Sequence, residues 1–397
     1  MAHWSDRIGA LAGELDQHLR GAARAVRSAL SHDPCEVLAY RGYGNASAVW
    51  VHGRAVEHRR VTESAAGDSA FRNLLNTWRR VDSDPVGFAR LLVSCRDARL
   101  PCAADDEGYF GGHLPIAAAG TEQEWIPYDA ELVATGAGTG GVHGSGEILV
   151  PAAGARFGII SDIDDTVIQS RVSNFLLAAR TVMLGNARTR LPFPGVAGFY
   201  RALRNGASGD ERNPIFYVSS SPWNLYDVIA EFLELQSIPR GPILLRDWDV
   251  SFGALAAGRH LQHKGGAIRE ILAMYPTLPF LLIGDSGQHD PEIYAQLVRE
   301  YPERIRAIYI RDVTRSAARS ASIALLATEV LAARSTLVLA EDTLGAARHA
   351  AGQGWIADAS LHDVRDDKHA DAGQTADKVA TPDGGTGGAG TAPTIIE

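Results

Sequence analysis

The sequence predicts an α/β protein: a doubly wound parallel-sheet domain, preceded by an N-terminal helix and a β-rich, sandwich-like domain. Three observations carry that prediction. From residue 153 onward, short apolar runs alternate with longer stretches of helical pattern, which is the rhythm of parallel strands joined by crossover helices. Between residues 33 and 152 the runs are short, alternating or β-branched, and are broken by Gly, Pro and Asp, as strands and turns require. Before them, Ile8, Leu11, Leu15, Leu19, Ala22, Val26 and Leu30 recur at helical spacing, marking an amphipathic helix over residues 1–32.

That helix either packs against the next domain or lies on a membrane surface; the acids mixed among its basic residues favour packing. In the β-rich domain, Val49-Trp50-Val51-His52 and Phe88-Ala89-Arg90-Leu91-Leu92-Val93 are strand candidates. Asp105-Asp106-Glu107-Gly108-Tyr109-Phe110 reads as an acidic turn feeding a strand, with Gly108 supplying backbone freedom, rather than as a metal site. In the domain over 153–361, the buried-strand candidates are Phe157-Gly158-Ile159-Ile160, Ile215-Phe216-Tyr217-Val218, Ile243-Leu244-Leu245 and Pro279-Phe280-Leu281-Leu282-Ile283. Beyond residue 362 the composition falls to Asp, Gly, Thr, Ala and Lys without apolar period or aromatics, and a disordered tail over 362–397 is expected.

A chain of 397 residues with 46% apolar and 21% charged residues can bury more than one core. A formal charge of -9 argues against a protein that coats nucleic acid. Cys35, Cys95 and Cys102 form no close pair and have no histidine at zinc-finger spacing, so reduced structural thiols are expected. No secretory signal and no apolar window of about 18 residues is visible. The expected location is the cytoplasm, with any membrane contact peripheral.

Four polar clusters stand at or near predicted strand ends, where open α/β sheets place ligands. Ser161-Asp162-Ile163-Asp164-Asp165-Thr166 follows Ile159-Ile160. Carboxylates this dense repel one another unless a cation relieves them, and Mg2+ bound through oxygen ligands would do so while bridging to a phosphate. In an extended segment Asp162 and Asp164 share a face, whereas Asp165 points away unless the turn redirects it; Asp165 serves either as a cap or in the chemistry. Ser219-Ser220-Ser221-Pro222-Trp223 offers small hydroxyls and backbone N–H groups at a helix entrance, suited to a phosphate oxygen. His263-Lys264 opens a helix running to Met274 and supplies a cation. Gly284-Asp285-Ser286-Gly287-Gln288-His289-Asp290 places further carboxylates after Leu281-Leu282-Ile283, so two acidic strand ends can share one ion.

In this order the clusters resemble the four motifs of the haloacid dehalogenase superfamily. The resemblance implies Asp162 as nucleophile, Asp164 as general acid and base, and Thr166, Ser219, Ser220 and Lys264 against the phosphoryl group. It also implies Mg2+ held by Asp162, the backbone carbonyl of Asp164, Asp285 and Asp290. The flanks are more specific. Ile160-Ser161-Asp162-Ile163-Asp164-Asp165-Thr166-Val167, Tyr217-Val218-Ser219-Ser220-Ser221-Pro222-Trp223-Asn224-Leu225-Tyr226 and Gly284-Asp285-Ser286-Gly287-Gln288-His289-Asp290-Pro291-Glu292 resemble the catalytic domain of the actin-patch-associated phosphatidate phosphatases and their bacterial relatives, over roughly residues 151 to 350. Tyr40-Arg41-Gly42-Tyr43-Gly44 and the Asp-Glu-Gly-Tyr-Phe stretch resemble the preceding domain of the bacterial members. The implied substrate is phosphatidate, an anionic lipid at a membrane surface, hydrolysed to diacylglycerol and phosphate through an aspartyl-phosphate.

Alternatives stay open: a phosphatase of a soluble phosphomonoester or a polynucleotide end, or a module that binds phosphate without turning it over. The intact Asp162 and Asp164 pair speaks against the last. The insertion between Asp162 and Ser219 holds Phe175, Leu176, Leu177, Val182, Met183 and Leu184 near Arg171, Arg180, Arg188 and Arg190; it is either a lipid-facing flap or an ordinary packed helix.

Overall fold

The structure is a computed structural model that describes residues 34–57, 84–117, 123–134, 140–168, 193–246 and 256–379, with the side chains of 256–262 and 372–379 excepted. The expected N-terminal helix and the apolar and basic residues of the proposed flap lie outside the described residues, as does 380–397. The chain divides into two compact units at residues 150 and 151.

The first unit is built of strands β1 (Cys35–Ala39), β2 (Gly42–Gly44), β3 (Ala48–Glu57), β4 (Asp84–Pro85), β5 (Arg90–Cys95), β6 (Ala98–Ala103), β7 (Tyr109–Pro115), β8 (Trp125–Ala134) and β9 (Val142–Leu149). They form one sheet in the order β1-β3-β2-β9-β8-β5-β6, with β4 and β7 also paired to β3. Strand alternation buries every second side chain: Val49 and Val51 of β3, Leu91 and Val93 of β5, Ala130 and Leu132 of β8 and Ile148 of β9 belong to one apolar cluster. The strand read from Phe88 starts instead at Arg90, because Phe88 sits in a turn with φ 57° and is exposed. The acidic stretch before β7 is a side-chain-closed turn: Asp105 Oδ1 accepts from the amides of Glu107 at 2.9 Å and Tyr109 at 2.8 Å. Gly108 has φ 81°, and a Cβ there would strike the Ala55 carbonyl.

The second unit contains β10 (Gly158–Ser161), α1 (Val196–Asn205), β11 (Ile215–Pro222), a 3₁₀ turn (Trp223–Leu225), α2 (Tyr226–Leu235), β12 (Ile243–Arg246), α3 (Ala256–Met274), β13 (Phe280–Asp285), α4 (Asp290–Glu300), β14 (Ile305–Arg311), α5 (Ala317–Ala332), β15 (Thr336–Ala340), α6 (Thr343–Gly352) and α7 (Ser360–Val379). Its six strands are parallel in the order β12-β11-β10-β13-β14-β15. Burial of every residue in β10 and β13 accounts for their unbroken apolar sequence. The chain runs outward from β10 through β11 to β12 and then returns to the other flank of β10 as β13. This reversal is the switch point at which open parallel sheets bind ligands, and it sets the ends of β10, β11 and β13 side by side.

Three readings from sequence are corrected here. Lys264 does not open its helix; α3 starts at Ala256, so Lys264 lies well inside it. Ser219, Ser220, Ser221 and Pro222 still belong to β11, and the helical turn begins only at Trp223. The expected tail from 362 is helical to Val379. Its composition hid it, because α7 is held by polar contacts around Val364, the one fully buried residue among its described side chains. Arg201 Nη2 meets Asp367 Oδ2 at 2.6 Å, Lys368 Nζ meets Asp342 Oδ2 at 2.5 Å, and the Gly195 amide donates to Asp371 Oδ2 at 2.9 Å.

Candidate active site

The switch point brings Asp162, Asp285 and Asp290 together, with one carboxylate oxygen of each within 4.8 Å of the others. Each has a local cause. Asp162 directly follows β10, and its amide donates to the Ile283 carbonyl of β13 at 2.9 Å. Asp285 ends β13. Asp290 opens α4, where the helix dipole favours acids, and its Oδ2 accepts from the Asp285 amide at 3.2 Å. Gly284 leaves room for it: a Cβ at residue 284 would stand 2.7 Å from the Cβ of Asp290.

Lys264 reaches this group from α3. Its Nζ donates to Asp162 Oδ1 at 2.8 Å and also to Asp290 Oδ1, and all three side chains are almost wholly buried. One ammonium cannot balance three ionised carboxylates in a buried site, so their full ionisation calls for a further cation. Burial, followed by repulsion from Asp290, Asp164 and Asp285, holds Asp162 well above the usual carboxylate range despite Lys264. Burial and Asp290 push Asp285 up to about 7 against the pull of two backbone amides and Lys264. For Lys264, burial opposes the charge, but Asp162 and Asp290 outweigh it and raise its pKa.

The turn after Asp162 is closed by the amides of Val167 and Ile168, both donating to the Ile163 carbonyl. Asp165 adopts φ 57° and gives its amide to the Ile168 carbonyl at 2.9 Å. Thr166, buried, donates its hydroxyl to Asp162 Oδ2 at 3.2 Å. Asp164 is only half-buried, and its carboxylate turns to β11, where Oδ2 accepts from Ser219 Oγ at 2.7 Å and Ser221 Oγ at 3.2 Å. The carboxylate of Asp164 therefore stands apart from the three-aspartate group, while its backbone carbonyl accepts from Gln288 Nε2 at 3.5 Å. Ser220, half-buried, lies between the two serines on β11.

The residues present fit a divalent ion. Asp285 Oδ1 accepts from the amides of Gly287 at 2.6 Å and Gln288 at 2.9 Å. Its Oδ2 is buried without any hydrogen-bond partner among the described residues, and a buried anionic oxygen left unmatched is costly. An all-carboxylate donor set with a nearby backbone carbonyl suits a hard ion such as Mg2+. Sequence reasoning did not single out Ser221 and Gln288, although both lie within the quoted motifs. Arg319, on α5, bonds the loop after Asp285, and no local pattern in the sequence marks it.

Residues 157–312 match the family model described as phosphatidate phosphatase APP1, catalytic domain. Over 160 residues the chain is 32% identical to phosphatidate phosphatase APP1 of Saccharomyces cerevisiae, a match covering 40% of this chain and 26% of that protein. It is 33% identical over 160 residues to an uncharacterized protein of Schizosaccharomyces pombe, covering 39% and 25% of the two chains. The chain thus spans about a quarter of the length of the curated relatives it matches. Among solved structures, a carbohydrate acetylesterase from Xanthomonas citri aligns over 68% of this chain and 65% of its own at 15% identity, with a TM-score of 0.23.

Proposed function

We propose that the second unit is a Mg2+-dependent phosphatase of the haloacid dehalogenase type that forms an aspartyl-phosphate on Asp162, with phosphatidate as its substrate. One observation carries the reading: Lys264 bridges Asp162 and Asp290 beside the unpartnered oxygen of Asp285, while Asp164 is held separately by two serines. A site that only bound phosphate would need no second carboxylate two residues from the first. The similarity of residues 157–312 to the phosphatidate phosphatase APP1 catalytic domain supports the substrate class.

The residues then divide the work. The carboxylate of Asp162 attacks phosphorus, the bond from phosphorus to the ester oxygen breaks, and Asp164 delivers a proton to that oxygen. The alcohol leaves, and Asp164 withdraws a proton from water as its oxygen attacks the aspartyl-phosphate; inorganic phosphate departs and Asp162 is restored. Lys264 pulls Asp162 toward its ionised form against burial and the neighbouring acids, and offsets charge on the phosphoryl oxygens. Ser219 and Ser221 orient Asp164 by donating to one oxygen, which leaves the other for proton transfer. Mg2+, held by Asp162, Asp285, Asp290 and the Asp164 carbonyl, would neutralise the phosphoryl group and the nucleophile against each other.

A specific observation favours a second reading. A cavity of about 540 Å³ beside Asp165 is lined by Arg311, Asp312, Arg315, Asp342 and Lys368, with Phe193 among its apolar members. That lining suits a polar leaving group, as in a soluble phosphomonoester, better than acyl chains. One assay separates the two: Mg2+-dependent phosphate release from phosphatidate in mixed micelles, beside a panel of soluble phosphomonoesters, with Asp162→Asn as control. Phosphatidate hydrolysis lost in Asp162→Asn supports the lipid reading. Turnover of soluble esters alone would transfer the mechanism to them, and full activity in Asp162→Asn would refute the nucleophile.

A further inference from the structure

We propose that Arg319 is a positioning residue that sets the affinity of the carboxylate group for Mg2+, by locking the loop that follows Asp285; the inference rests on the metal reading above. The loop must expose one particular oxygen of Asp285 to the site. Backbone groups need hydrogen-bond partners, and in this loop most of them have one. The Ser286 amide donates to the Arg311 carbonyl at 2.9 Å, and the amides of Gly287 and Gln288 donate to Asp285 Oδ1. Two of the loop's carbonyls are taken by a single guanidinium. Arg319 Nε donates to Ser286 O at 2.8 Å and Nη2 to Gln288 O at 2.7 Å.

Glu292 anchors the guanidinium in turn, accepting from Nη1 and, at 3.0 Å, from Nη2. Arg319 comes from the first turn of α5 and Glu292 from the first turn of α4, so the fork ties two helices to the loop between β13 and α4. The consequence is geometric. With both amides committed to Oδ1, Oδ2 of Asp285 is buried and left without a hydrogen bond in a carboxylate group whose oxygens lie within 4.8 Å of one another, and Gln288 is fixed where its side chain meets the Asp164 carbonyl. Only a planar group with several donors in fixed directions can serve two carbonyls and a carboxylate at once, which lysine cannot do. Arg319 contacts none of Asp162, Asp164 or Lys264 by hydrogen bond, so it acts through the loop.

The test is isothermal titration of Mg2+ into the full chain for wild type, Arg319→Ala, Arg319→Lys and Glu292→Gln, with phosphate release followed at limiting and saturating Mg2+. Arg319→Ala is expected to weaken Mg2+ binding by about 10- to 100-fold, the range for residues that orient metal ligands, with turnover largely recovered at saturating Mg2+. Arg319→Lys should resemble Arg319→Ala, and Glu292→Gln should move affinity in the same direction by less. If Arg319→Ala does not fold, the other two variants carry the comparison. Wild-type affinity in the Arg319 variants, or a loss of turnover that saturating Mg2+ does not relieve, would overturn the inference while leaving the phosphatase reading intact. A wild-type chain that binds no Mg2+ would instead remove the metal reading and this inference with it.

Discussion

Lys264 Nζ stands 2.8 Å from Asp162 Oδ1 although 102 residues separate them in the chain, and the same ammonium also bonds Asp290. The contact joins the middle of α3 to the end of β10 and the start of α4. It explains how two buried carboxylates can stay close enough to act on one ligand. Its removal is therefore a test of stability as well as of chemistry.

Lys264→Met is expected to cost about 3 to 5 kcal/mol, the usual penalty for deleting one partner of a buried charge pair. Urea denaturation in EDTA measures this. Mg2+ should restore part of the stability and none of the turnover, because the phosphoryl oxygens still lack their side-chain cation. A variant as stable as wild type in EDTA would count against Lys264 as the charge partner that holds these carboxylates together.

Asp164→Asn should lower turnover by about 10² to 10⁴, the range for loss of a general acid or base. The loss should be smaller in the first step for an aryl phosphate, whose phenolate departs without a proton, than for an alkyl phosphate. Rapid-quench trapping should then show aspartyl-phosphate accumulating, since the variant cannot activate water. An equal loss on both substrate types would count against Asp164 as the acid.

The pH dependence follows from the raised carboxyls. Burial and neighbouring acids lift Asp162 above the usual range and Asp285 to about 7, against an ordinary value of about 4. A carboxyl whose pKa is raised on folding favours the folded state while it keeps its proton. That contribution is complete below about pH 4 and is lost as pH climbs through about 7. Melting temperatures in Mg2+ and in EDTA should therefore diverge between pH 5 and pH 8, with Mg2+ the more stabilising at the higher pH. A constant difference across that interval would contradict the assignment.

Helix α7 offers a prediction away from the chemistry. Val364→Ala is expected to cost about 2 kcal/mol, from the lost methyl groups and the space left behind. The midpoint of urea unfolding reads this directly, and an unchanged midpoint would show that the helix does not pack on the unit.

Much of the site could be located from the sequence because it depends on local order. An apolar run followed by carboxylates or hydroxyls marks a strand end, and this placed Asp162, Ser219 and Asp285 on neighbouring strands of one parallel sheet. Residue relationships set by packing were not visible. The seat of Lys264 inside α3 and the turning of Asp164 toward Ser219 and Ser221 depend on contacts between distant segments. Strands β14 and β15 were not singled out, and α7 was taken for a tail since its contacts are polar and, among its described side chains, only Val364 is fully buried. Arg319 escaped notice for the same reason: an arginine on a helix carries no local sign that its guanidinium ends on two carbonyls.

Gly284 has a consequence for anyone recoding this chain. Every other amino acid brings a Cβ, and at this position the carbon would fall on the side chain of Asp290, 2.7 Å from its Cβ. Strand interiors ordinarily accept swaps among apolar residues of similar volume, and the flanking Leu282 and Ile283 should follow that rule. At residue 284 the alphabet has a single letter, and even alanine, the mildest change in most strands, would shift the carboxylate that Lys264 holds.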